Sequence, residues 1–224
     1  MIQREFLGSA NIPGGREELR LFRRGADFMI VLDRNELMSS RMSGSEEALA
    51  NMTIERLRGR PAPEILIGGY GMGFTLRAAL AAVGQDARLT VVELVAEIID
   101  WARGPMAEMT GACLDDPRVA LRIADVGEAI RSATGDYDAI LLDVDNGPDG
   151  LVRRANDSLY SRSGLAAART ALKPGGILAI WSAGQDIAFA RALGEAGFDV
   201  DEVAVRARSN GKGAKHIIWF AQKR

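Results

Sequence analysis

The stretch that decides the fold is Ile65–Phe74, which reads ILIGGYGMGF. Its apolar start predicts a short buried strand, its glycines predict a tight turn, and Phe74–Val83 has the apolar spacing of a helix. Glycine has no Cβ, so the backbone can turn sharply there and approach a ligand closely. In a doubly wound sheet, ligands bind beyond the carboxyl ends of the strands, so we expect a cofactor at this turn. A purely structural glycine turn is the alternative.

Downstream of Glu64, short apolar runs alternate with helical stretches. Runs that are continuously apolar are typical of strands buried on both faces of a parallel sheet. The last two runs, Val200–Ala207 and Ile217–Ala221, flank a glycine-rich turn and predict an antiparallel hairpin. The predicted fold class is therefore α/β, with a doubly wound, mostly parallel sheet and a C-terminal antiparallel hairpin.

The N-terminal part has a different pattern. Glu18–Phe22 and Phe28–Leu32 flank a turn and predict a small β-hairpin. Ser45–Leu57 then has roughly helical apolar spacing, with its first residue as the expected N-cap. We therefore predict two units, a small β element over residues 1–44 and a Rossmann-like ligand-binding domain over residues 45–224.

Composition excludes several classes of protein. The chain has 224 residues, of which 47% are hydrophobic and 26% charged, as in an ordinary globular protein. Cys113 is the sole cysteine and His216 the sole histidine. An intramolecular disulfide, a multi-cysteine metal site and any mechanism with two histidines are excluded, and no metal is expected.

Charge is distributed unevenly around a net value of −2. Residues 61–202 carry 12 basic and 21 acidic residues, whereas residues 203–224 carry six basic and no acidic ones. The acidic middle would attract amines and repel nucleic acid, so no nucleic-acid partner is expected. No apolar run approaches the ~18 residues of a membrane span, and the first residues lack a signal-peptide core. We therefore expect no membrane association and a cytoplasmic location.

Acidic residues stand at the ends of two predicted strands. Glu93 follows Gly73 by 20 residues and is placed to accept hydrogen bonds from ribose hydroxyls. Asp125 could face an adenine amino group, and a helix N-cap is its structural alternative. Phe74 stands where a dinucleotide fingerprint has its third glycine, so a dinucleotide is disfavoured.

The fourth strand delivers further carboxylates to the same edge. The run Tyr137–Val144 is apolar between Asp138 and Asp143, and Asp145 follows closely. Clustered carboxylates attract a cation, and one of them could orient an amine and take its proton. The structural alternative is an Asx turn that ends the strand.

The order of these motifs resembles a known family. The segments GGYGMG (68–73), VVE (91–93), YDAILLD (137–143), LY (159–160) and LKPGG (172–176) resemble S-adenosylmethionine-dependent transferases of the Rossmann-like class. More narrowly, the chain is similar to the spermidine synthase (polyamine aminopropyltransferase) family. The resemblance implies a class I methyltransferase-like fold and alkyl transfer from a sulfonium cofactor to a small-molecule amine. It also implies a homodimer that pairs through the N-terminal β element.

The resemblance and the positions of the residues together give a set of site residues. The cofactor is S-adenosylmethionine or its decarboxylated form, with S-adenosylhomocysteine or methylthioadenosine as product. Its binding residues are Gly69, Tyr70, Gly71, Gly73, Glu93 and Asp125. The catalytic residues are Asp143, which orients and deprotonates the amine, and Asp145. The substrate-binding residues are Asn146, Tyr160 and Trp181.

The chain departs from the family pattern at three places. Gly71 stands where the family has an acid that receives the amine of decarboxylated S-adenosylmethionine. Asn146 stands for the second aspartate of the fourth-strand loop, and Ser45-Glu46 stands for a Tyr-His pair on the helix over the substrate. Methyl transfer on the same fold and a non-catalytic nucleoside-binding module therefore remain as alternatives to aminopropyl transfer.

Overall fold

The N-terminal part of the chain forms an antiparallel sheet of its own. The computed structural model describes residues 3–15, 17–110, 112–144 and 157–224. The first four strands are consecutive neighbours in one sheet: β1 (Glu5–Asn11), β2 (Glu18–Arg24), β3 (Asp27–Leu32) and β4 (Asn35–Ser39). The predicted hairpin is confirmed as β2–β3, and the structure adds one strand on each side of it.

A seven-stranded sheet forms the rest of the scaffold. Its strands are β5 (Glu64–Gly68), β6 (Arg88–Glu93), β7 (Val119–Ile123), β8 (Tyr137–Leu142), β9 (Leu172–Ser182), β10 (Phe198–Arg206) and β11 (Lys215–Lys223). Their order is β10-β11-β9-β8-β5-β6-β7. The five strands from β5 to β9 pair in parallel, and β11 pairs antiparallel with both β9 and β10. The predicted parallel sheet and terminal hairpin are confirmed, and the winding reverses between β5 and β8.

Helices connect these strands. They are α1 (Gly44–Arg56), α2 (Phe74–Ala82), α3 (Ala96–Arg103), α4 (Ala107–Thr110), α5 (Val126–Arg131), α6 (Asp157–Tyr160), α7 (Arg162–Ala171) and α8 (Ile187–Glu195). A short 3-10 turn covers Cys113–Asp115. The prediction that Ser45 caps α1 is wrong, because the N-cap is Ser43 and the Ser45 hydroxyl contacts Glu46 and His216 instead. Among the helices of the described ranges, none is both long and apolar enough to cross a membrane.

Each face of the large sheet carries its own apolar layer. All six residues of β8 are buried, and successive residues point to opposite faces. Ala139 and Leu141 belong to a core shared with α1, α2, α3 and the N-terminal sheet. Ile140 and Leu142 belong to a core shared with α5, α7 and α8. This burial explains why the strand has a continuous apolar run rather than an alternating pattern.

One buried carboxylate connects three segments at the edge of the sheet where the parallel strands begin. Asp138 accepts hydrogen bonds from Arg60 at 2.7 Å, from Lys173 at 2.7 Å and from the Glu64 amide at 2.9 Å. Burial alone would raise the pKa of Asp138, but these hydrogen bonds together hold it below its usual range. The carboxylate thus ties β8 to the segment before β5 and to the start of β9.

Candidate active site

The glycine turn between β5 and α2 lies against the end of β8. Its φ angles are 85° at Gly69, 55° at Gly71 and 77° at Gly73, all in the region that favours glycine. A Cβ at Gly69 would lie 2.5 Å from the carbonyl oxygen of Asp143. A larger residue therefore could not occupy position 69 without moving the backbone, and the turn and Asp143 are held side by side.

Glu93, at the end of β6, holds this turn from the other side. The side chain is buried, and its two oxygens accept hydrogen bonds from the Tyr70 amide at 2.8 Å and the Val95 amide at 2.9 Å. Burial raises the pKa of Glu93, while these and neighbouring amide hydrogen bonds oppose the rise. Each carboxylate oxygen has a second lone pair, so Glu93 can hold the turn and still accept a ligand hydroxyl.

A cleft opens at the carboxyl edge of the sheet beside these residues. Its volume is about 690 Å³ with the open mouth included. It is lined by Gly69, Gly71, Glu93, Asp125 and Asp143, and by apolar side chains of the N-terminal segment. The structure thus brings five of the predicted site residues to one cavity, at the place where the winding of the sheet reverses.

Asp125 is the N-cap of a helix, which is one of the two roles considered for it from the sequence. Its Oδ1 accepts a hydrogen bond from the Gly127 amide at 2.7 Å, which makes it the N-cap of α5. The same residue lines the cleft. Contact with a nucleobase stays a prediction.

Asp143 joins this cleft to a second one. It directly follows β8, is partly buried, and lines both cavities. Thr75 on α2 donates a hydrogen bond from Oγ1 to its Oδ2 at 2.9 Å. Burial raises the pKa of Asp143 to about 6, and the hydrogen bond from Thr75 opposes that rise.

The second cleft is largely apolar. The residues that line it are Leu37, Met38, Glu46, Tyr70, Gly71, Met72, Phe74, Asp143, Val144 and Trp181. Glu46 and Asp143 are the carboxylates of this lining, and none of its members is basic. Such a cavity favours a ligand with an apolar body and a cationic group.

Glu46 is a site residue that the sequence predictions did not include. Burial, followed by repulsion from Asp143, raises its pKa to about 8, while the Ser45 hydroxyl opposes the rise with a hydrogen bond of 2.7 Å to Oε2. Its place beside Asp143 results from the packing of α1 over the sheet, which no local pattern reveals. Its position as a departure from the family's Tyr-His pair was the available signal.

His216 reaches the same place from β11. Its Nδ1 lies 2.9 Å from the Ser45 hydroxyl, and its ring packs edge-on against Trp181 with 4.7 Å between the ring centres. Burial lowers the pKa of His216. The indole Nε1 of Trp181 is buried and has no hydrogen-bond partner in the part of the chain that the structure describes.

Of the other predicted residues, Tyr70 lines a cleft, Tyr160 does not, and Asp145 and Asn146 are not described by the structure. Tyr70 lines the second cleft and places its hydroxyl 3.5 Å from Cys113 Sγ, and burial raises its pKa. Tyr160 is buried and packs edge-on against Phe189, in the core between the sheet and α8, outside the linings of both clefts. Asp145 and Asn146 lie outside the described residues, so their roles stay predictions.

The donor set fits an organic ligand. Within the described ranges, no group of three or more histidine, cysteine, aspartate or glutamate side chains is placed to hold a metal ion. The site combines the buried carboxylate of Glu93, a glycine turn without Cβ atoms and the carboxylates of Asp143 and Glu46, which can accept hydrogen bonds from hydroxyl and amine groups of an organic ligand.

Solved structures with this fold include two enzymes of different activity. The spermidine synthase of Thermotoga maritima superposes with a TM-score of 0.75 and 20% identity, over 98% of this chain and 73% of that one. The 1,6-didemethyltoxoflavin-N1-methyltransferase of Burkholderia thailandensis gives a TM-score of 0.57 and 23% identity, over 81% of this chain and 79% of that one. These likenesses confirm the class I methyltransferase-like fold.

Comparison of the amino-acid sequence with known proteins gives a narrower result than comparison of the structures. A polyamine aminopropyltransferase of Korarchaeum cryptofilum is 32% identical over 139 residues, which are 62% of this chain and 40% of that protein. The chain thus matches about two fifths of the length of this relative. The model of the spermine/spermidine synthase domain matches residues 44–193, from the start of α1 into α8. Since this match covers more than half of the chain, the protein belongs to the spermine/spermidine synthase family.

Proposed function

We propose that this protein transfers an alkyl group from an S-adenosyl sulfonium compound to an amine. Aminopropyl is the first candidate for the transferred group. The observation that carries the proposal is the junction of two clefts at Asp143 and Gly71, which line both cavities. One cleft has the polar edge that a nucleoside needs, and the other has apolar walls with carboxylates. Two substrates bound in these clefts meet beside Asp143, and holding them in line supplies much of the rate enhancement.

The residues of the site take separate roles in this proposal. Glu93 accepts hydrogen bonds from the ribose hydroxyls, and Asp125 lies beside the nucleobase. Asp143 binds the acceptor ammonium and keeps it aligned, with Thr75 stabilising the charged carboxylate. Tyr70 and Trp181 form walls of the acceptor cleft.

The reaction balances with one proton released. When bound, the sulfonium supplies an electrophilic carbon: the amine lone pair forms the N–C bond, and the C–S bond breaks with its electron pair left on sulfur. The leaving group is a neutral thioether, and the nitrogen gives up one proton. The protein positions the nitrogen and accepts that proton, which is general-base chemistry.

Methyl transfer is the second candidate, and Gly71 favours it. Position 71 has no acid to receive the amine of decarboxylated S-adenosylmethionine. A glycine turn with positive φ angles presents backbone amides, which suit the carboxylate of intact S-adenosylmethionine. Both candidates share the acceptor cleft and differ only in the arm of the sulfonium compound.

Mass spectrometry of the products tests the proposal. Purified protein is incubated with a panel of amines and with either intact or decarboxylated S-adenosylmethionine. We expect methylthioadenosine together with an aminopropylated amine, whereas S-adenosylhomocysteine with a methylated amine would assign the second candidate. Asp143→Asn should lose at least about 100-fold in rate while still binding a nucleoside thioether. The absence of every product from the unaltered protein would refute transferase activity and favour a binding module.

Location and assembly are part of the same proposal. We infer a cytoplasmic protein without nucleic-acid or membrane partners. We also infer a homodimer that pairs through the N-terminal sheet, of which β1 is an edge strand. Sedimentation analysis of the protein and of a variant with proline in β1 tests the assembly, because proline blocks pairing at an edge.

A further inference from the structure

We propose that Glu46 accepts the proton of the acceptor amine, and that Ser45 and His216 hold its carboxylate in position. This inference rests on the proposed amine alkylation and deepens it. It divides between two carboxylates the roles that the family resemblance gives to one: Asp143 binds and aligns the ammonium, and Glu46 takes the proton.

The shared cavity is the first support. Glu46 and Asp143 line the same cleft from different elements, Glu46 from α1 and Asp143 from the end of β8. The other lining residues are glycine, apolar or aromatic, among them Phe74 and Trp181. Among the described residues, a cationic group that enters this cleft therefore meets two carboxylates and little other polarity.

A chain of hydrogen bonds behind Glu46 is the second support. The Ser45 hydroxyl donates to Glu46 Oε2 at 2.7 Å, so its oxygen is left to accept from His216 Nδ1 at 2.9 Å. The direction of the His216 contact depends on which ring nitrogen carries the proton, and with the proton on Nδ1 both donors point toward the carboxylate. Ser45 and His216, 171 positions apart, thus position Oε2 of Glu46, whose side chain lines the cleft.

The electrostatic surroundings distinguish the two carboxylates. The charged groups that act on Glu46 are Asp143 across the cleft and Glu47 on its own helix, and both raise its pKa. The Thr75 hydrogen bond favours the charged form of Asp143, whose pKa is about 6 against about 8 for Glu46. The carboxylate with the higher pKa is the stronger base, so Glu46 is the better proton acceptor of the two, and Asp143 is the one that more readily stays charged.

The proton transfer is balanced. The ammonium nitrogen releases one proton to the Glu46 carboxylate, which becomes a neutral carboxylic acid. The lone pair that remains on nitrogen forms the new N–C bond. Ser45 and His216 keep their own protons, so they act as positioning residues.

The pH dependence of kcat/KM tests the role of Glu46, with Glu47 as the matched control. In the unaltered protein, kcat/KM should rise with pH and level off above the pKa of Glu46 in the enzyme without bound substrate, which is about 8. Glu46→Gln should remove this rise and lower the rate at pH 8 by about 100-fold. Glu47→Gln should keep the rise and move it slightly to lower pH, because one like charge is removed. A Glu46→Gln variant with unchanged rate and pH profile would overturn the inference.

Two substitutions of His216 separate positioning from packing. Asn places an amide donor near the position of Nδ1, whereas Phe keeps a ring against Trp181 without a donor. We expect Phe to lower kcat at unchanged cofactor affinity and Asn to restore most of it. Equal rates for the two variants would contradict the positioning role.

A spectroscopic measurement tests the chain of donors without turnover. His216 is the sole histidine, so its imidazole ¹⁵N signals are assigned without ambiguity. We expect the proton on Nδ1, and a changed signal in Ser45→Ala. A proton on Nε2 with a bare Nδ1 would overturn the chain. No product from the unaltered protein would refute the proposed function, whereas product with an unaltered Glu46→Gln profile would refute the role of Glu46 alone.

Discussion

Restoring an acid at position 71 should change which sulfonium compound the protein prefers. Gly71 lines both clefts and stands where the resembled family has the acid for the aminopropyl ammonium. Gly71→Asp adds one negative charge at the junction. Gly71→Asn has the same shape without the charge, so comparing the two variants isolates the electrostatic effect.

The backbone can accept both variants at a similar cost. Position 71 has φ of 55°, where asparagine and aspartate occur more readily than other non-glycine residues. A Cβ there would lie 3.0 Å from Met38 Sδ, the flexible end of a side chain that can move by a few tenths of an ångström. The left-handed conformation costs about 1–2 kcal/mol and largely cancels between the two variants.

The size of the effect follows from the position of the new charge. Two unit charges 4 Å apart attract by about 4 kcal/mol at an effective dielectric constant of 20. Desolvation of the ion pair removes part of this, so a net gain of about 1.4 kcal/mol, or tenfold, is a conservative expectation for the decarboxylated compound. The intact compound carries a carboxylate in the same arm and should lose affinity.

Calorimetry with both compounds measures this effect. The ratio of the Kd for intact to the Kd for decarboxylated S-adenosylmethionine should be at least about tenfold larger in Gly71→Asp than in Gly71→Asn. Identical ratios in the two variants would refute the placement of the sulfonium arm beside Gly71. A loss of affinity shared by both variants would report backbone strain only, and the ratio is insensitive to it.

Three further outcomes test the scaffold and the site. Asp138→Asn should lower the free energy of unfolding in urea by about 2–3 kcal/mol, less than for a fully enclosed pair because its two cationic partners reach solvent. Because the folded pKa of Asp138 lies below 3.8, this difference should be present at neutral pH and vanish as the pH falls through that folded value. Thr75→Val should raise the pKa of Asp143 above about 6, because the hydrogen bond that favours the charged form is lost, and the step of the rate profile that lies below the Glu46 step should move to higher pH. Cys113 is buried and burial raises its pKa, so a thiol reagent should react with one equivalent only after denaturation; rapid reaction of the folded protein would contradict the burial.

The sequence predicts the large sheet well because buried parallel strands have a strong signal. The run of β8 is apolar on both faces, and its end fixes the position of Asp143. The same logic places Glu93, since the carboxyl ends of parallel strands meet at one edge. β1 was missed because only one of its seven residues, Ala10, is buried, so it shows no alternation.

The acceptor side of the site was harder to predict, for a physical reason. Glu46, Ser45 and His216 meet only because α1 packs over the sheet next to β11. Contacts between residues 171 positions apart leave no trace in local periodicity or spacing. A helix of mixed polarity such as α1 gives no sign of which polar side chain faces a cavity.

Two of the departures from the family pattern, at Gly71 and Glu46, are related by their positions in space. The turn lacks an acid at position 71, and the helix over the substrate has gained one at position 46. Gly71 and Glu46 line the same cleft, so this chain keeps a second carboxylate near Asp143 but attaches it to a different element. An acid on the turn would lie close to the sulfonium arm, whereas an acid on α1 lies on the acceptor side. With the charge on α1 instead of the turn, we expect a weaker preference for an ammonium group on the transferred arm and a stronger preference for one on the acceptor. Under the proposed function, we therefore expect the carboxylates of this cleft to select for the acceptor's amine more than for the identity of the transferred alkyl group.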